Sequence, residues 1–163
     1  METRVLITYL VTDCDGVLTD GKYYYFKNGK EFVGYNANDS LAVKIAKKSN
    51  VKCIMISSTT QPELHMIRAK ELGIPFISSC KAGKVAVIED LEHKQGIDLD
   101  CVAYIGDSVD DMPIFDMVGF SFTPSNSLKI VKLHADYVLE KSSGDGCLLE
   151  AVMFLKDRYG KDS

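Results

Sequence analysis

The chain lacks any uninterrupted apolar run near the roughly 18 residues that a bilayer-crossing helix needs. Its opening, METRVLITYLVTDCDG, carries acids where a secretory leader would have small cleavable residues. Both absences point to a cytoplasmic protein with no membrane partner. Cysteine pattern is missing too: Cys14, Cys53, Cys80, Cys101 and Cys147 are odd in number, widely spaced and mostly set in apolar runs. That disfavours a disulfide framework or a structural zinc site and predicts reduced, buried thiols. Lys and Arg total 19 but form no stripe, and the net charge is -4, so no nucleic-acid partner is expected. His65, His93 and His134 have no partners at metal-ligand spacing and read as surface or capping residues. No internal repeat, low-complexity tract or linker interrupts the 163 residues, which suit one domain spanning 1–163.

What is present is an average globular balance, 46% hydrophobic and 26% charged, arranged in alternating patterns. Short apolar runs bounded by turns recur at Val5 to Val11, Val51 to Ile56, Pro75 to Ile77, Cys101 to Ile105, Val118 to Phe122 and Tyr137 to Leu139. Each has the length of a buried strand. Helix-period patterns fall between most of them, at Ser40 to Lys48, Pro62 to Leu72, Gly83 to Gln95, Asp110 to Met117, Ser127 to Leu133 and Cys147 to Arg158. Strand and helix in alternation predict an α/β fold, a Rossmann-like parallel sheet with helices on both faces. Pro62 suits the first turn of a helix capped by Thr59 or Thr60, and Gly73 suits its end. One segment breaks the alternation. KYYYFKNGKEFVGY sets Asn28-Gly29 between two aromatic-rich runs, which predicts a projecting β-hairpin from about Lys22 to Tyr35. Tyr23 to Tyr25 read as packing for an oligomer interface.

The first apolar run leads directly into Thr12-Asp13-Cys14-Asp15-Gly16, so two carboxylates emerge at the carboxyl end of a strand, where open α/β sheets bind ligands. Gly106-Asp107-Ser108-Val109-Asp110-Asp111 follows another strand in the same way. Two converging acidic clusters without a His or Cys cage suit Mg²⁺, a hard cation that prefers oxygen. Ser57-Ser58-Thr59-Thr60 ends a third strand and offers hydroxyl and N–H groups to an anion at a helix N-terminus. Lys84, in CKAGK, can bring a cation to the same edge. Taken singly, each feature has a plain reading as a turn, a helix cap or a surface lysine. Together they supply what phosphoryl transfer needs: a nucleophile, charge neutralisation and a proton donor.

In this order the residues resemble the haloacid dehalogenase superfamily, whose motifs are D-x-D, Ser/Thr, Lys and G-D-(x)n-D. The resemblance implies the HAD fold and a Mg²⁺-dependent phosphoric monoester hydrolase acting on a small phosphate ester. It implies Asp13 as nucleophile through an aspartyl-phosphate and Asp15 as general acid, then base. Ser58 and Lys84 would hold the phosphoryl oxygens, and Asp13, the Asp15 backbone carbonyl and Asp107 would hold the metal, with Asp111 supporting them. The intervals around Ser58 leave no room for a cap domain. The chain is most similar to the capless 3-deoxy-D-manno-octulosonate 8-phosphate phosphatase group and its keto-deoxy-nonulosonate 9-phosphate relatives. Shared features are DGVLTDG at Asp15 to Gly21, the aromatic hairpin, YNANDS, RAKELGI at Arg68 to Ile74, and S-G-D-G near Gly144 to Gly146. That group implies a homotetramer in which a neighbouring subunit completes each site.

Two departures bear on substrate. The group's T-G-R reads Ser58-Thr59-Thr60 here, and its F-N-x-R-D-G-x-G reads Tyr35-Asn36-Ala37-Asn38-Asp39-Ser40-Leu41-Ala42, so two arginines are absent. Thr59, Thr60, Arg68 and Asp39 remain as candidate substrate contacts, with Arg68 suited to a carboxylate. A receiver domain is disfavoured because Lys84 precedes Asp107. The alternative function is a non-catalytic HAD-like oligomerisation domain associated with sugar-nucleotide synthesis.

Overall fold

The computed structural model describes residues 6–29 and 31–159. Val5, where the first strand was expected to begin, and Lys30, inside the expected hairpin, lie outside the described residues. The chain runs β1 (Tyr9–Asp13), β2 (Tyr24–Tyr25), β3 (Glu31–Phe32), α1 (Asn38–Lys48), β4 (Lys52–Ser57), α2 (Glu63–Leu72), β5 (Phe76–Ser78) and α3 (Lys84–Gln95). It continues through β6 (Val102–Ile105), α4 (Met112–Phe115), β7 (Phe120–Thr123), α5 (Lys129–His134), β8 (Tyr137–Val138) and α6 (Cys147–Tyr159). Six strands form one parallel sheet in the order β5-β4-β1-β6-β7-β8.

Both faces of this sheet are covered, which is why its strands are continuous apolar runs rather than alternating ones. Leu10, Met55, Ala103 and Ile105 face one core with residues of α1, α2 and α6. Val11, Ile54, Ile56, Val102 and Tyr104 face a second core with residues of α3, α4 and α5. Each fully buried Leu or Ile stabilises the fold by about 1.5–3 kcal/mol relative to exposure. Leu10 is wholly buried in the central strand, and Leu10→Ala would cost about 2–5 kcal/mol because the surrounding layers cannot collapse into the cavity.

Four expectations need correction. The helix expected over Asp110 to Met117 is a 3-10 turn (Val109–Asp111) followed by the short α4, because the Asp111 side chain is drawn back to the backbone ahead of it. Neither Thr59 nor Thr60 caps α2: Thr59 Oγ1 accepts from Gln61 N, and the helix opens at Pro62 without a side-chain cap. The hairpin ladder is confined to Tyr24 opposite Phe32 and Tyr25 opposite Glu31. Its turn, which contains Asn28 as expected, closes from Gly29 N to the Phe26 carbonyl, with Gly29 at φ 80°. Of the cysteines, Cys14, Cys53 and Cys147 are buried free thiols, but Cys80 is exposed and Cys101 half-buried. Gly73 ends α2 as expected, in the left-handed conformation that a Cβ would strain.

Candidate active site

β1, β4 and β6 are neighbours and parallel, so the segments that leave their carboxyl ends meet at one edge of the sheet. Asp13 is the last residue of β1, Ser57 the last of β4, and Asp107 follows β6. Lys84, the first residue of α3, reaches the same edge. These segments surround a cavity of about 360 Å³ lined by Asp13, Asp15, Ser58, Thr59, Lys84 and Asp107. A larger hollow of about 680 Å³ lies where β1 and β4 begin, at Tyr9 and Lys52, away from the paired acids.

The core of the site is a charged cluster. Lys84 Nζ donates to Asp13 Oδ2 at 2.6 Å and to Asp111 Oδ1 at 2.7 Å, with all three side chains buried. Tyr104, wholly buried in β6, donates its hydroxyl to the same Asp111 oxygen at 2.7 Å. The other Asp111 oxygen accepts from Asp107 N, Ser108 N and Ser108 Oγ. Asp13 Oδ1 accepts from Cys14 N at 2.8 Å. Gly16 is required here: at φ 79° it lies so close to Asp107 that an added Cβ would sit 2.1 Å from Oδ2.

Burial, aided by the negative charge of Asp111, pushes the Asp13 carboxyl up to about 8, with Lys84 opposing. Burial and the same Asp111 charge push Asp107 up to about 6. Burial acts on Asp111 in that direction too, but Lys84 and its many donors hold it below the usual carboxylate range. Lys84 is lifted above its ordinary value, since Asp13 and Asp111 outweigh its desolvation. Two carboxyls held up by burial and by the neighbouring Asp111 charge form a place where a cation is stabilising. One oxygen each of Asp13, Asp107 and Asp111 lies within 4.8 Å of the others, a hard-donor set that fits Mg²⁺. Asp111 already receives five hydrogen bonds, so its geometry suits bracing Lys84 and the Asp107 backbone rather than offering a free oxygen.

Asp15 sits beside this cluster with a different set of partners. Thr19 Oγ1 contacts its Oδ1 at 3.4 Å, and His65 Nε2 lies 2.9 Å from its Oδ2. His65 is 3% exposed, which corrects its reading as a surface or capping residue. A sequence signal for this existed: His65 shares a helix face with Ala69 and Leu72, both buried. Tyr104 was missed as well, although a phenol inside an apolar strand needs a polar partner once buried.

The other expected residues divide. Ser58 and Thr59 line the cavity, whereas Thr60 is exposed outside its lining. Gln61 and Pro62 separate the Ser57 to Thr60 run from α2, so the run does not itself form that helix's N-terminus, a further correction. Arg68 and Asp39 pair at 3.5 Å away from the cavity lining. Arg68 also donates to the Asn36 carbonyl at 2.8 Å and stacks over the Tyr35 ring. His134 and His93 are not part of the cavity lining, His134 being bonded to Asp116.

Comparison with known proteins agrees with this picture. Residues 19–150 match the family described as haloacid dehalogenase-like hydrolase. The 3-deoxy-D-manno-octulosonate 8-phosphate phosphatase of Haemophilus influenzae is 32% identical over 157 residues, covering 96% of this chain and 87% of that protein. The cobalt-bound structure of the Haemophilus influenzae phosphatase has a TM-score of 0.84 at 31% identity, covering 93% of this chain and 88% of that one. The Moraxella catarrhalis phosphatase, in complex with magnesium, phosphate and KDO, has a TM-score of 0.84 at 29% identity, covering 93% and 86%.

Proposed function

The chain belongs to the family of haloacid dehalogenase-like hydrolases, and from that membership we propose a Mg²⁺-dependent phosphatase that hydrolyses a keto-deoxy sugar acid phosphate through an aspartyl-phosphate on Asp13. The observation that carries the reading is the buried Asp13 carboxylate, held by Lys84 beside Asp107 and opening onto the same cavity as Asp15. Relatives named as octulosonate 8-phosphate phosphatases across nearly the whole chain support the substrate class.

An Asp13 oxygen attacks phosphorus, the ester P–O bond breaks, and the leaving alkoxide takes a proton from Asp15. Water then attacks the acyl phosphate while the Asp15 carboxylate accepts its proton, and P–O cleavage restores Asp13. Splitting one displacement into two lowers the barrier of each. Asp13, Asp107 and the Asp15 carbonyl are the groups to hold Mg²⁺, which neutralises phosphoryl charge when bound. Ser58 and Lys84 orient phosphoryl oxygens, and Asp111 fixes Lys84. Thr59 is positioned for the substrate's next polar group; Thr60, Arg68 and Asp39 take part in substrate binding only from outside the present cavity lining.

Tyr25 at 70% and Phe26 at 57% exposure, on a hairpin beside the cavity-lining Tyr23, support a homotetramer that closes the site, in a cytoplasmic protein. A monomer in light scattering at micromolar concentration would overturn that assembly. The intact charged cluster speaks against a non-catalytic oligomerisation domain. The test is phosphate release from octulosonate 8-phosphate, keto-deoxy-nonulosonate 9-phosphate, N-acylneuraminate 9-phosphate and hexose phosphates, with Mg²⁺ or with EDTA. Mg²⁺-dependent release from a sugar acid phosphate supports the reading, and no release from any substrate defeats it.

A further inference from the structure

His65, itself buried, belongs to a part-buried hydrogen-bonded column that phosphoryl transfer by Asp13 does not require. Its Nε2 is 2.9 Å from Asp15 Oδ2, its Nδ1 is 2.5 Å from the Tyr35 hydroxyl, and that hydroxyl is 3.7 Å from Cys14 Sγ. The donors and acceptors can be assigned from one end. The single hydrogen of the Tyr35 phenol goes to the nearer acceptor, His65 Nδ1 at 2.5 Å, rather than to Cys14 Sγ at 3.7 Å. The thiol then donates to Tyr35 Oη, the phenol donates to His65 Nδ1, and Nε2 carries the hydrogen donated to Asp15. With the hydrogen on Nε2 every hydrogen in the column has an acceptor. The column runs inward from the cavity-lining Asp15 and ends at the buried Cys14 thiol, so it fixes positions rather than relaying protons across the protein.

The opposite side of Asp15 is held in a similar way. Thr19 Oγ1 faces the amides of Gly16 and Gly21 at 3.4 and 3.3 Å, which turns its single hydrogen toward Asp15 Oδ1. We propose that His65 is a positioning residue for Asp15: its Nε2–H fixes the carboxyl that protonates the leaving group, with Tyr35 setting the tautomer. His65 does not line the cavity, so it acts only through Asp15. The Tyr35 ring is in turn covered by Arg68, whose guanidinium lies 5.4 Å from the ring centre. Arg68 thereby supports the column from the side of α1 and α2.

The inference rests on the phosphatase reading above, and the test separates the two. His65→Gln places an amide N–H where Nε2 was, while His65→Asn places its amide near Nδ1 and leaves Asp15 without that donor. We expect kcat of His65→Gln within about threefold of wild type and that of His65→Asn lowered about 10- to 100-fold, the range that misplacing a catalytic group produces. KM should stay within about twofold in both, because His65 contacts no substrate. Equal kcat losses in the two variants, or a loss expressed in KM, overturn the inference. ¹⁵N NMR of histidine-labelled wild type provides a readout independent of turnover and of variant folding. A hydrogen on His65 Nε2 supports the inference, and an Nδ1–H tautomer overturns it. A wild type that releases no phosphate defeats the phosphatase reading itself, whereas an active wild type with indistinguishable variants defeats only the role of His65.

Discussion

Asp13 and Asp15 are two residues apart, yet their surroundings differ in kind. Asp13 is in a cluster of full charges, where one ammonium lies between two carboxylates and a third acid stands close by. Asp15 is held by a hydroxyl and an imidazole, with a phenol and a thiol behind them. The charged side depends on neutralisation, so cations and pH govern it. The other side depends on which atom carries each hydrogen, so side-chain geometry governs it. A nucleophile and a proton donor need different things, and two positions two residues apart, at and just beyond the end of β1, supply both.

The comparison is broken most severely by Asp13→Asn. This isosteric change removes the nucleophile, and phosphate release should fall by about 10⁴-fold or more, as loss of a covalent catalyst does. Lys84→Met comes next, since it leaves Asp13 and Asp111 buried without their cation. We expect a loss of about 3–5 kcal/mol in denaturant unfolding, with kcat reduced about 10²- to 10³-fold. Gly16→Ala should act mainly on the metal. The new Cβ displaces Asp107, so Mg²⁺ affinity by calorimetry should weaken while the secondary structure is retained.

A smaller effect distinguishes the two sides by pH. Asp13 near 8, and Asp107 and Asp39 near 6, release their protons later in the folded protein than at the unfolded value of 3.8. Between about pH 4 and 8 the native state therefore binds more protons than the unfolded chain, and the metal-free protein loses stability as pH rises. Its Tm in EDTA should fall across that window, each kcal/mol moving it by about 2–4 °C. The increment from Mg²⁺ should be larger at pH 8 than at pH 5. A flat profile in EDTA would show that the acids are neutralised without a cation. Tyr35→Phe should be the mildest change, removing one hydrogen bond at a cost of about 1–2 kcal/mol in unfolding and leaving Mg²⁺ affinity unchanged.

Much of the scaffold was legible because its signals are local. Strand runs buried on both faces are apolar throughout, and Gly73 marks a helix end by its own conformational freedom. The acids at the ends of β1 and β6 were legible for the same reason, since each follows its strand directly. The short α4 was not, because a side-chain bond to Asp111 from the backbone ahead of it overrode the helix period. His65 and Tyr104 escaped notice because a polar residue on an apolar face declares its partner only when another element packs against it.

By itself the sequence determined the alternation of strands and helices, and with it a parallel sheet whose carboxyl edge gathers Asp13, Ser58 and Asp107. Periodicity and strand ends are properties of contiguous residues, so no long-range contact was needed to read them. Tertiary structure alone decided that Lys84 bonds both Asp13 and Asp111, that Arg68 turns to Asn36 and Asp39, and that His65 meets Asp15. Each of those contacts joins a side chain to a group from a distant segment of the chain, and their direction is set by packing, burial and hydrogen-bond satisfaction that no stretch of sequence contains.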